Sequence, residues 1–158
     1  MSDEQRRAEL ARMRALIETY FDGCNQADIE KMVSCFVPDA VHYFPPGMYE
    51  GPFVGARKIA EKWAYAVETF GSQWTIDSFI GDAESGRAVI EWTHIKHSQA
   101  VVLRGDEWYA FDRTSGLIGE IRAYYASPQS PALSRMELEG FDYVGRGYPA
   151  ARGVTVRR

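Results

Sequence analysis

Leu10, Met13, Ile17, Tyr20 and Cys24 recur at alternating spacings of three and four. That places them on one face of an amphipathic helix. Ser2 and Gln5 ahead of them form a capping-box pair, so the helix is expected to open there. Gly23 with Asn25-Gln26 is expected to close it. A second helix follows, with Ile29, Met32, Val33 and Phe36 on its apolar side, stopped by Pro38-Asp39. The stretch AVHYFPP, from Ala40 to Pro46, then reads as a first strand halted by two prolines. The segment from Pro46 to Gly55 is punctuated by Gly47, Gly51, Pro52 and Gly55 and is expected to be loop. Ile59, Trp63, Val67 and Phe70 define a third helix, from about Ala56 to Phe70.

After Gly71 the period changes to two. Strands are expected near Gln73–Ile80, Arg87–His97, Ala100–Asp112 and Leu117–Ala126, joined by turn-like segments. Ser130-Pro131 has the form of a helix N-terminus and Gly140 of its end, giving a short helix before a glycine-rich extended arm. Helices gathered before a run of strands predict an α+β domain with the helices on one face of a mainly antiparallel sheet. Residues 1–127 form the body of that single domain, and 128–158 its terminal helix and arm.

Composition narrows the classes. At 158 residues and 46% hydrophobic content the chain supports one sizeable core. The 18 Lys and Arg against 22 Asp and Glu leave a formal net charge of −4. That balance argues against nucleic acid and anionic membrane surfaces as partners. MSDEQRRAEL is charged and has no apolar signal stretch, so a cytoplasmic location is expected. Cys24 and Cys35 show no metal or disulfide spacing and are expected to be reduced thiols. Aromatic content of 13% exceeds what a small core needs and fits an aromatic-walled cavity.

His42 is the anomaly. A half-buried strand would take valine there more cheaply, because a buried imidazole needs partners for its nitrogens. Either His42 is a satisfied core residue or it lines something wet. Alternation puts Ala88, Ile90, Trp92 and His94 on one face of their strand, and Glu107, Tyr109 and Phe111 on one face of the next.

Three groups of residues carry a family resemblance. They are Leu16-Ile17-Glu18-Thr19-Tyr20 with Ala27-Asp28-Ile29-Glu30, then Phe36 to Val41 with Pro45-Pro46-Gly47, then Trp108 to Asp112 with Ile121 to Tyr125. They resemble the nuclear transport factor two-like superfamily, whose catalytic branches include ketosteroid isomerase, scytalone dehydratase and SnoaL-like cyclases. The resemblance implies a cone: an α+β barrel of strongly curved, mainly antiparallel sheet around three helices, with a pocket at one end. Matching Pro45 to the family proline turns His42 and Phe44 inward. Tyr20 matches a first-helix tyrosine that donates a hydrogen bond in ketosteroid isomerases, and Glu107 falls where they carry a buried carboxylic acid. Phe44 stands where those isomerases carry their aspartate base. Trp92 and His94 stand where epoxide-hydrolase relatives would show arginine and aspartate.

A cofactor-independent lyase or isomerase is therefore expected. It would carry out dehydratase-like elimination or proton transfer on a small, mostly apolar cyclic or aromatic hydroxy compound. His94 or His42 would act as base, with Tyr20 and Glu107 as hydrogen-bond donors. Phe44, Trp63, Trp92, Tyr109, Phe111 and Tyr125 would bind substrate. The alternatives are an epoxide hydrolase or polyketide-type cyclase on the same cone, or a non-catalytic ligand-binding dimer. His42, His94 and Glu107 also make the letter set of a two-histidine, one-carboxylate metal site, but no local spacing supports it, and neither metal nor cofactor is expected. A homodimer through the outer sheet face, near Glu91, Thr93, Arg122 and Tyr124, is expected from the fold's relatives. The apolar arm from Ser130 to Pro149 is expected to pack over the cone mouth or onto a neighbouring subunit.

Overall fold

Ser2 Oγ accepts from the Gln5 backbone N–H at 3.2 Å, and Gln5 Oε1 accepts from the Ser2 N–H at 2.8 Å. The capping box thus opens α1 (Asp3–Gln26), as its sequence requires. Met13, Ile17, Tyr20 and Cys24 are all buried on the expected face. Gly23 does not break the helix. A Cβ there would meet Met32 Cγ at 2.8 Å, so this glycine lets α1 and α2 (Ile29–Val33) approach closely. The reversal comes instead at Ala27, whose φ of 54° closes α1, and Asp28 caps α2 by accepting from the Lys31 N–H.

The computed structural model describes residues 1–44 and 49–125, with Val144, Gly145 and Gly147. The proline match at Pro45, the short helix from Ser130 to Gly140 and most of the arm lie outside them. No helix among the described residues is long and apolar enough to cross a membrane.

Pro38 does not terminate α2; it lies inside β1 (Phe36–Tyr43). The pairing of β1 with β6 is irregular between Phe36 and Val41, and a strand tolerates proline at such an interruption. The segment expected to be entirely loop contains a two-residue strand, β2 (Phe53–Val54), which pairs Phe53 with His42. After α3 (Ala56–Phe70) come β3 (Ser72–Asp82), β4 (Arg87–Lys96), β5 (Val101–Phe111) and β6 (Ile118–Tyr124). His97–Gln99, between β4 and β5, is a short 3₁₀ turn.

The six strands run in the order β2-β1-β6-β5-β4-β3. Only the β1–β6 pair is parallel, so the α+β, mainly antiparallel expectation holds. The sheet is open, with β2 and β3 at its edges, and the helices fill its inner face. Ala88, Ile90, Trp92 and His94 of β4, with Glu107, Tyr109 and Phe111 of β5, are buried on that inner face.

Candidate functional site

Five elements converge on one cavity of about 40 Å³. From α1 come Tyr20, Phe21 and Cys24, and from α3 comes Trp63. Trp74 stands on β3, Trp92, His94 and Lys96 alternate along β4, and Leu103 and Glu107 come from β5. Phe44, Tyr49 and Tyr125 close the remaining side. The volume holds a few ordered waters, well short of the roughly 300 Å³ at which drug-sized pockets begin. A ligand with even one ring therefore has to displace side chains.

Glu107 is the one carboxyl among the described lining residues. Its Oε2 accepts from the Tyr109 hydroxyl at 2.5 Å, and its Oε1 lies 3.5 Å from His42 Nε2. Tyr109 and Glu107 are two apart on one strand, so the pleat aligns them on one face. Burial holds the Tyr20 hydroxyl protonated far above neutrality, with Cys24 and Glu107 nearby adding to the effect. Burial does the same for Tyr109 and the Cys24 thiol, each further raised by Glu107. Tyr125 is pushed up by burial, then by Tyr49 and Glu107. The cavity therefore surrounds one carboxyl with hydroxyls that remain donors at any working pH.

His94 is a different case. Its Nε2 lies 2.9 Å from Ser72 Oγ, and its ring stacks on Trp74 with centroids 4.4 Å apart. Burial, and then the Lys96 charge, lower its pKa to about 3. It is a neutral imidazole at pH 7.

Of the residues singled out from sequence, Tyr20, Phe44, Trp63, Trp92, His94, Glu107 and Tyr125 line the cavity. His42 lies behind its wall, fully enclosed, stacked on Phe44 at 4.2 Å and edge-on to Trp63 at 5.5 Å. Tyr109 sits beneath Glu107, and Phe111 lies outside the cavity, under the Arg12 guanidinium. The two histidines are spaced by Trp63 and Trp74, whose rings are 5.7 Å apart. Among the described residues no group of three or more His, Cys, Asp or Glu is arranged to hold a metal.

Sequence reasoning missed Phe21, Cys24, Tyr49, Trp74, Lys96 and Leu103. Alternation beyond His94 points to Lys96, the i, i+4 spacing from Tyr20 points to Cys24, and the β4–β5 pairing sets Leu103 opposite His94. Tyr49, in a short non-periodic segment, offers no such signal.

A curved α+β sheet packed on helices, with a polar floor in an aromatic cavity, defines the nuclear transport factor two-like class of small-molecule folds. The chain belongs to the SnoaL-like domain family, whose model matches residues 17–121. It is similar to a protein of unknown function with a cystatin-like fold from Methylobium petroleophilum PM1, at 58% identity and TM-score 0.74 over 94% of this chain and 96% of that one. A proposed ketosteroid isomerase from Kribbella flavida DSM 17836 shares the fold at 16% identity and TM-score 0.64, over 83% and 94% of the two chains. So does SalBIII, an epoxide hydrolase/cyclase-like enzyme of pyran ring formation in the polyether salinomycin, at 15% identity and TM-score 0.61 over 80% and 95%. No curated protein matches the sequence.

Proposed function

We propose that this chain is a cofactor-independent lyase or isomerase that moves a proton on a small, mostly apolar cyclic or aromatic hydroxy compound, with Glu107 as the group that changes protonation. The observation that carries the reading is the position of Glu107. It is a nearly enclosed carboxyl at a cavity wall, with one oxygen tied to Tyr109 and the other facing His42. The geometry favours Glu107 over His94 as base, because His94 is engaged by Ser72 and has a conjugate acid too strong to form near neutrality.

In this reaction the carboxylate takes a proton from carbon next to a carbonyl. The electron pair of that C–H bond moves into a C=C bond, and the carbonyl oxygen becomes an enolate oxygen. Tyr20, held protonated, donates a hydrogen bond to that oxygen. Returning the proton to another carbon gives isomerisation. Expelling a β-hydroxyl, which leaves with that proton as water, gives elimination.

The test is turnover on a panel of hydroxy ketones, with Glu107→Gln beside the wild type. The expected loss is about two to four orders of magnitude in kcat, the usual contribution of a positioned base, with the fold retained by circular dichroism. Wild-type binding without turnover across the panel would overturn the reading in favour of a ligand carrier. We further propose a homodimer through the outer sheet face.

A further inference from the structure

The cavity holds hydrogen-bond donors that nothing accepts. Trp92 lines it and has a buried indole Nε1–H without a partner, whereas the Trp63 N–H lies against the Tyr20 hydroxyl. Lys96 lines it as well, at the end of β4 on the face of Trp92 and His94. Its ammonium lies 5.5 Å from the centre of the Phe70 ring, and no carboxylate among the described residues pairs with it. Burial lowers its pKa, the sign of a cation short of solvent. Unpaired donors in such a place cost free energy, which a ligand bringing acceptor oxygens would recover.

The opposing acceptor, Glu107, is already bonded to Tyr109 and lies well away along the strands. Glu107 pairs with Ile90 across β4 and β5, and Lys96 is six residues further along β4. That is roughly 20 Å of extended backbone.

We propose that the cavity selects a carboxylate-bearing aromatic or cyclic compound, its carboxylate received by the Lys96 ammonium, with the unpaired Trp92 indole N–H as a second donor. This rests on the reading of the cavity as the substrate site and names the substrate class. The rival is a lysine that only covers Phe70.

Titration of the full chain with trans-cinnamate and with cinnamamide, followed by tryptophan fluorescence, separates the two. The probes share ring and chain and differ in charge. Cinnamate is expected to bind about tenfold more tightly than the amide, as a charge-assisted hydrogen bond gives. Lys96→Met should erase that preference and leave amide affinity within about twofold, and Lys96→Arg should keep it. Glu107→Gln should keep it too, so loss of turnover and loss of anion preference report on different claims. Equal binding of both probes by the wild type, binding of neither, or a preference that survives Lys96→Met would each overturn the proposal.

Discussion

His42 Nε2 lies 3.5 Å from Glu107 Oε1, and neither ring nitrogen of His42 makes a hydrogen bond. The other carboxylate oxygen, Oε2, is tied to Tyr109 at 2.5 Å. The two oxygens are thus unequal. Oε2 is engaged, while Oε1 keeps acceptor capacity beside an imidazole that stacks on Phe44. Placed this way, His42 faces Glu107 from behind the cavity wall and does not itself line the cavity.

A double-mutant cycle tests that coupling. His42→Leu removes the polar neighbour of Glu107 Oε1, leaves the carboxyl with Tyr109 alone, and is expected to destabilise the fold by about 1–3 kcal/mol. Glu107→Gln in the same background should recover part of that loss, with a coupling energy above about 1 kcal/mol. Urea unfolding of the four proteins measures it. Strictly additive effects would show that His42 is ordinary core.

Acid should weaken the protein through His94. Between pH 6.5, where the unfolded residue titrates, and about 3, where the folded one does, the unfolded chain holds a proton there and the folded chain does not. Stability is therefore full above this window and falls as pH drops through it, by up to about 1.4 kcal/mol per pH unit. Asp77, raised by burial, contributes with the opposite sign just above its ordinary value of 3.8. Melting temperatures from pH 7 to 4 should decline in the wild type. They should decline less in His94→Gln, which keeps a partner for Ser72.

The fold was legible because its long elements obey simple periods. The three-four spacing of α1 and the alternation through Trp92, His94, Glu107 and Tyr109 each place a face without ambiguity. β2 was not legible, because two residues have no period. Pro38 misled because its usual meaning, an end, gives way where the strand pairing is irregular. Trp74 escaped for a related reason: the β3–β4 register shifts between Ile76 and Ser78, so alternation counted from one end of β3 fails at the other.

Candidate site residues were legible as positions and not as chemistry. Alternation delivers His94 and Glu107 to the same side of the sheet, yet it is blind to Ser72 and Trp74, which come from another strand and make His94 a neutral, engaged ring. Likewise Lys96 ends a strand and reads as a solvated charge until the cavity is seen beside it.

The outer sheet face should pair with a second copy. Thr93 lies on that face but is fully buried, donating to Asp77 Oδ2 at 2.6 Å and accepting from Arg104 Nη1 at 2.7 Å. Around this polar centre Trp108 and Tyr124 stay exposed, at 42% and 54%. Large aromatics on an open sheet face mark an interaction surface. Sedimentation at micromolar concentration is expected to give a dimer, and Trp108→Glu with Tyr124→Glu a monomer. A monomeric wild type would sink the idea.

Gly105 should resist even alanine. It pairs with Trp92 across β4 and β5, and the Trp92 ring lies directly over it. A Cβ at Gly105 would meet Trp92 Cζ2 at 2.6 Å and Tyr125 Cβ at 2.8 Å, closer than real contacts allow, so the indole would have to tilt. Overpacking of this kind costs about 1–3 kcal/mol. Trp92 lines the cavity, so the displacement should also weaken binding of an aromatic probe. Gly119 is the control: it sits in β6, and a Cβ there meets nothing nearer than 3.6 Å. Gly119→Ala should melt within a degree or two of the wild type and bind the probe unchanged, while Gly105→Ala melts earlier and binds less. Equal behaviour of the two variants would mean that the Trp92 ring is free to move and that the cavity wall is not set by this contact.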